Sequence, residues 1–189
     1  MNVMRVQNYS LNLKRGAKLR NFVSIKGYKS NCMKEEIILP ESANPRVPAP
    51  EFPFRHILPL QIRFNDIDLL GHLNNGVYLT FFDLGKARYF QEVFPQKIEW
   101  RKINIVVVNI NCDFYAPTFI DENIAVVTTV THVGEKSMRL EQRVVNPESG
   151  EVKCLCRTVM AGINLATGKS APLEPEWVAA IEEYEGRKL

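Results

Sequence analysis

Two carboxylates, a histidine and an asparagine pair share one polar stretch. They are Asp66, Asp68, His72, Asn74 and Asn75, within RFNDIDLLGHLNN from Arg63 to Asn75. A carboxylate can accept a proton or attack an electrophile directly. Asn74 is a good N-cap residue, with helix formers after it. That cap makes Asn75 the first helical residue. Its N–H is then an orphan donor at the positive end of the helix dipole. A proton acceptor therefore sits a few residues from an unpaired N–H donor.

Each residue also has a plainer reading. Asp68 can cap its own turn, as Asp often does. Asp66 reads as a turn or ion-pair residue. A metal-binding D-x-D lacks a third ligand by spacing. Asn74 serves as a cap whatever else it does.

Two elements must position this stretch. Leu58–Phe64 reads as a short strand leading into the acidic turn. Tyr78, Phe81, Phe82, Gly85 and Tyr89 then form one stripe of a 3.6-residue helix. Thr80, Asp83, Lys86, Arg88 and Gln91 lie mostly off it, so Asp83 reads first as an off-stripe charge. Gly85 inside the stripe costs roughly 1 kcal/mol against Ala. A close approach of the helix to another backbone would explain it.

The later chain reads as strands. Ile103–Tyr115 alternates and then turns nearly all apolar, which suits a long strand partly covered on both faces. Asn123–Val133 is rich in β-branched residues. Ser137–Val145 alternates, as a half-exposed strand does. Val152–Leu165 is the next strand. Pro175–Tyr184 is a short amphipathic helix with Pro at its start. The expectation is an α+β domain with about five strands, one central helix, one terminal helix and a meander of four successive antiparallel strands.

The chain has 189 residues, 46% of them apolar, enough for one domain with a real core. The formal net charge is +3. Eight of the 24 basic residues lie in Met1–Lys34, which has no acidic residue, leaving 16 basic against 21 acidic beyond it. The basic character belongs to a tail, so the folded part does not read as a nucleic-acid binder. No apolar run approaches the ~20 residues of a membrane span.

Met1–Lys34 reads as a disordered basic extension, a transit peptide or an upstream extension. The last is favoured, because Met33-Lys34-Glu35-Glu36 opens the acidic part. The expected location is cytoplasmic, or an organelle matrix if residues 1–34 are a transit peptide. Residues 35–53 form a Pro-rich linker, with Pro40, Pro45, Pro48, Pro50 and Pro53. The folded domain is expected over 54–189.

Cys32, Cys112, Cys154 and Cys156 match no zinc spacing and no C-x-x-C motif. They read as buried reduced thiols, with a thiol nucleophile as the sharper alternative. His56, His72 and His132 make no metal cluster by spacing. There is no phosphate-binding glycine loop and no G-x-S-x-G elbow.

The pattern R-F-x-D-x-D-x-x-G-H-x-N-N-x-x-Y-x-x-F-F-D-x-x-K, starting at Arg63, resembles the start of hotdog-fold acyl-CoA thioesterases of the 4-hydroxybenzoyl-CoA thioesterase type. The likeness runs from about Leu58 to Leu165. It implies a curved antiparallel sheet wrapped around one long central helix. It assigns catalysis to Asp68, as general base or nucleophile, and the oxyanion contact to the Asn75 backbone N–H. A second subgroup carries its carboxylate on the central helix, which makes Asp83 the reserve. His72, Asn74 and Tyr78 become substrate-binding candidates. His72 either orients the turn or contacts the acyl group. Tyr78, Phe81, Phe82, Phe114 and Tyr115 line an acyl or aryl pocket or are plain core.

The implied reaction hydrolyses a fatty or aryl thioester, needs no cofactor or metal, and releases CoA or an acyl carrier protein. Alternatives are another hotdog enzyme such as a dehydratase, or a non-catalytic acyl-CoA-binding module. The resemblance also implies a homodimer or a tetramer of dimers, because an unpaired strand edge must be covered.

Overall fold

The computed structural model describes residues 35–94 and 103–189. The basic tail through Lys34, with Cys32, and the connection at 95–102 lie outside the described residues. Five strands make one antiparallel sheet: β1 (His56–Leu60), β2 (Ile105–Phe114), β3 (Ile124–Val133), β4 (Ser137–Val145) and β5 (Val152–Gly162). Two helices accompany it, α1 (Asn75–Val93) and α2 (Pro175–Glu185). This is the expected α+β class, with five strands and two helices.

The strand order is β1-β3-β4-β5-β2. Three strands form a meander, not four. β2 pairs with β5, Cys112 opposite Cys156, although β3 follows β2 in the chain. β1 occupies the β3 edge, Ile57 opposite Val127. Segment 115–123 must therefore cross the ends of β5 and β4 to reach β3. Its extended reach of roughly 3.3 Å per residue exceeds three strand spacings of roughly 4.8 Å.

The first strand is shorter than its sequence pattern. β1 ends at Leu60, and Phe64–Asp66 is a single 3-10 turn. Asp66 closes that turn by accepting the Arg63 N–H at 2.8 Å.

The α1 stripe is buried as its periodicity predicts: Tyr78, Phe81, Phe82, Gly85 and Tyr89 all face the core. Tyr78, Phe81 and Phe82 pack with Ile124 and Val126 of β3, Val144 of β4, and Cys154 and Cys156 of β5, while Tyr89 packs with Val130, Met138 and Leu140. A Cβ on Gly85 would lie 2.8 Å from Val126 Cγ1 and 2.9 Å from Gln142 Nε2. The close approach is to side chains of the sheet, not to another backbone. Gln142 also donates to the Phe82 carbonyl (3.0 Å) and to Thr128 Oγ1 (3.1 Å).

β4 is not half exposed. Glu141, Gln142 and Arg143 are all buried. β4 is central, so α1 covers one face. On the other, Leu39 and Val47 pack beside Phe54, Val127, Val145 and Val152. Residues 35–53 thus hold no helix or strand but do contact the sheet. β2 errs the other way. Val106, Val107, Val108 and Ile110 are 40–57% exposed, because β2 is an edge strand. Its apolar run is not covered on both faces.

α2 is locked down by Glu185. This buried carboxylate accepts from Tyr89 (2.7 Å), the Val130 N–H (2.9 Å) and Thr129 (2.9 Å), and pairs with Arg187 (2.8 Å). The attachment gives both oxygens of the buried carboxylate hydrogen-bond partners, which its burial requires.

Candidate active site

The acidic turn is built on a short bridge between Ile67 and Leu73. Inside it, the Asp68 N–H donates to the His72 carbonyl at 2.9 Å. The Gly71 N–H closes a turn on the Asp68 carbonyl at 3.1 Å. Gly71 has φ +80°, the left-handed region that a side chain disfavours, while its surroundings are open. Glycine is needed there for its backbone, not for space.

Asp68 is half-buried. Its Oδ1 accepts the Leu70 N–H at 2.8 Å and the His72 N–H at 3.4 Å. Oδ2 takes no hydrogen bond among the described residues. A carboxylate has acceptor capacity on both oxygens. One oxygen holds the turn while the other takes no hydrogen bond among the described residues, so the capping role and a chemical role are compatible.

Asp66 is a different kind of carboxylate. It is buried and accepts Arg63 Nη2 (2.9 Å), Arg63 Nε (3.2 Å) and the Arg63 N–H. The hydrogen bond from the Arg63 side chain holds it below the usual carboxylate range, against the effect of burial. Its carbonyl accepts the Asn74 N–H at 2.9 Å. Asp66 is the brace that joins the turn to the helix start.

α1 begins at Asn75, and Asn74 caps it by accepting the Gly76 N–H at 2.8 Å. The Val77 N–H bonds the Asn74 carbonyl at 2.9 Å. The Asn75 N–H has no acceptor among the described residues. Asp68 and Asn74 line one cleft with Phe64, Ile67, Leu69 and Leu70. Phe64, Leu69 and Leu70 stand exposed around its mouth.

His72 is half-buried, its ring edge-on to Phe119 at 5.1 Å between centroids. Tyr78 does not line the cleft. It is buried, its hydroxyl donates to Thr118 Oγ1 at 2.8 Å, and its ring meets Phe114 edge-on at 5.3 Å. Phe81 and Phe82 are core, and Phe114 is half-exposed at the end of β2. Asp83 lies on the exposed side of α1, about 12 Å along the helix from Asn75 at 1.5 Å per residue. It pairs at 2.9 Å with Lys86, whose side chain is buried. Its periodicity had placed Lys86 off the buried stripe.

Burial pushes the Cys154 thiol up, and the Cys156 thiol up to about 12. Neither is a thiolate near neutral pH, which leaves no nucleophile there. Among the described residues, no group of His, Cys, Asp and Glu could hold a metal ion. No described helix is long and apolar enough to cross a membrane.

The sequence reading missed Thr118, Phe119 and Lys153. None lies in the motif, and only the crossing segment brings them to it.

Residues 62–181 match the family model described as the thioesterase-like superfamily. The long-chain acyl-CoA thioesterase FadM of Escherichia coli is 26% identical over 127 residues, covering 66% of this chain and 95% of that protein. The crystal structure of a Thermus thermophilus thioesterase complexed with coenzyme A and Zn is 30% identical. It has a TM-score of 0.64 and covers 72% of this chain and 98% of its own. A structure of 4-hydroxybenzoyl CoA thioesterase with 4-hydroxybenzoyl CoA shares 14% identity at a TM-score of 0.60, over 67% of this chain and 97% of that one, a likeness of fold alone. The chain is a thioester hydrolase and belongs to the thioesterase-like superfamily.

Proposed function

We propose that this chain hydrolyses acyl-CoA thioesters to the free acid and CoA, with Asp68 and the Asn75 N–H as its reacting groups. One observation carries the reading. Asp68 is fixed through Oδ1 by the Leu70 N–H, while the N–H of the first α1 residue is left without an acceptor. A carboxylate with one oxygen unused and an unpaired N–H at a helix N-terminus suit the two demands of acyl transfer.

Water attacks the thioester carbonyl as Asp68 takes its proton. The carbonyl oxygen becomes an oxyanion and is held by the Asn75 N–H and the positive end of α1. Collapse breaks the C–S bond, and the CoA thiolate leaves and is protonated. In the alternative route Asp68 attacks the carbonyl itself, the C–S bond breaks with loss of the CoA thiolate, and water then cleaves the resulting mixed anhydride. His72 and Asn74 set the turn and the helix start beside the substrate. Asp83 is engaged in an ion pair with Lys86 on the exposed side of α1, away from the Asn75 N–H.

The same reading takes two protomers. The β2 edge presents exposed Val106, Val107, Val108 and Ile110, an association hazard unless paired. Antiparallel pairing of two β2 strands brings the Ile105 end of one beside the Phe114 end of the other. Lys136 lies at that Ile105 end, its carbonyl accepting the Gly162 N–H at 2.9 Å. Lys136 of the partner subunit then stands near the Asp68 end, where it can meet a CoA phosphate. Arg139, on the same end of β4, is a second candidate.

The test is free-thiol release across a panel of fatty and aryl acyl-CoAs and acyl carrier proteins. Turnover on acyl-CoA supports the reading. Binding without turnover points to a non-catalytic module, and turnover on carrier protein alone points to that substrate instead. Sedimentation at micromolar concentration reads the assembly, and a fully active monomer would remove the shared site.

A further inference from the structure

The segment between β2 and β3 is gripped by one buried residue. Lys153 of β5 is 2% exposed. Its carbonyl accepts the N–H groups of Tyr115 (2.9 Å) and Ala116 (3.3 Å). Its ammonium donates to the Pro117 carbonyl (3.0 Å) and to Glu122 Oε1 (2.8 Å), and pairs with Glu151 Oε2 (2.7 Å). An ammonium has three donors, so all three are occupied. The segment is thus held at Tyr115, Ala116, Pro117 and Glu122 from a single position. An apolar side chain would fill this site without the desolvation cost of a cation. The lysine gives the segment a defined geometry that burial alone would not.

What lies between those grips touches the acidic turn. The Thr118 carbonyl accepts the Leu73 N–H at 2.8 Å. Thr118 Oγ1 accepts the Tyr78 hydroxyl at 2.8 Å. The Phe119 ring lies against His72. His72 in turn accepts the Asp68 N–H through its carbonyl and donates its own N–H to Asp68 Oδ1. Segment 117–119 therefore backs the turn at Leu73 and His72 and backs the first turns of α1 at Tyr78.

We propose that Lys153 is a positioning residue for the hydrolytic reaction: by holding segment 115–122 it fixes Thr118 and Phe119, and through them the orientation of the Asp68 turn relative to the α1 N-terminus. The inference rests on the assignment of Asp68. Lys153 touches no substrate and no reacting atom. It acts through the three contacts that Thr118 and Phe119 make, and its loss changes how the carboxylate and the N–H donor are aimed. A misplacement of about 1 Å can cost roughly 100-fold in rate.

The experiment is steady-state hydrolysis of an acyl-CoA by Lys153→Met in the full chain, below the melting temperature of the variant. Methionine keeps the length and removes the ammonium. We expect kcat to fall about tenfold or more, with KM changed less than about threefold, because the alignment is lost and the cleft walls are kept. Thr118→Val leaves the grip in place and removes the acceptor for Tyr78. It should lower kcat in the same direction, and the double variant should fall no further than the worse single one. A folded Lys153→Met with kcat within about twofold of the parent overturns the proposal. So does a loss confined to KM. If Lys153→Met does not fold, Thr118→Val decides by the same kcat criterion. Full activity in Asp68→Asn removes the assignment of Asp68 itself. An inactive Asp68→Asn beside an unimpaired Lys153→Met removes this inference alone.

Discussion

Gly85 of α1 and Val126 of β3 meet with no room between them. A Cβ on the glycine would stand 2.8 Å from Val126 Cγ1. Helix propensity favours Gly85→Ala by about 1 kcal/mol. Overpacking costs about 1–3 kcal/mol, and Gln142 Nε2 at 2.9 Å blocks the other direction of relief. The packing term wins, so Gly85→Ala should lower stability. A urea denaturation midpoint equal to or above the parent's would show that the helix can shift away from the sheet.

Asp68→Asn keeps the size of the side chain and loses its basicity. Its Oδ1 can still accept the Leu70 N–H, so the turn should hold. Thiol release should fall by about 100-fold or more, the range for losing a general base. Asp83→Asn should stay near the parent in kcat but lose stability, because it strips the carboxylate from the buried Lys86 ammonium. The reverse pattern would move the chemistry onto α1.

Asp66 predicts an acid limb of stability. Its folded pKa lies below the ordinary 3.8, chiefly through the Arg63 side-chain hydrogen bond. A depressed carboxylate contributes stability above its unfolded pKa and loses it as the pH falls through the folded value. The parent should therefore lose stability as the pH drops below about 4, in the range set by carboxylate pKa values. Asp66→Asn should be less stable near neutral pH and show a shallower fall. Denaturant midpoints between pH 3 and 7 measure both, and parallel curves would refute the role of the Arg63 pair.

Truncation separates two N-terminal segments. Met1–Cys32 shows no core-forming pattern in its sequence, so its removal should leave activity and melting temperature nearly unchanged. Removal through Pro53 also takes Leu39 and Val47 off Val127, Val145 and Val152. Half-burial of two such side chains is worth roughly 1 kcal/mol each, and the uncovered sheet face would become sticky. A longer truncation as stable as the shorter one would make residues 35–53 a spacer.

The helix and its start were legible in the chain because their causes are local. The Asn74 cap, the orphan Asn75 N–H and the Tyr78–Tyr89 stripe depend on residues within one or two turns. The turn at Asp68 was legible for the same reason, since Gly71 and the Asp side chain act within four residues. Even the tight fit at Gly85 left a trace, a glycine where a helix former belongs. The partners of these groups were not legible. That β2 joins β5, that β4 is covered on both faces, and that β2 is left open follow from which distant segments compete for each surface. Alternation in Ser137–Val145 records polarity, and burial of Glu141 and Arg143 depends on their mutual pairing at 2.6 Å and on cover from residues almost a hundred positions away. Tyr78 is aromatic by sequence, but only the crossing segment gives its hydroxyl Thr118. Lys153 reads as a strand charge until that segment folds over it and supplies two acceptors beside the nearby Glu151. Local bonding decides backbone conformation near each residue; what a side chain faces is decided by the assembled sheet.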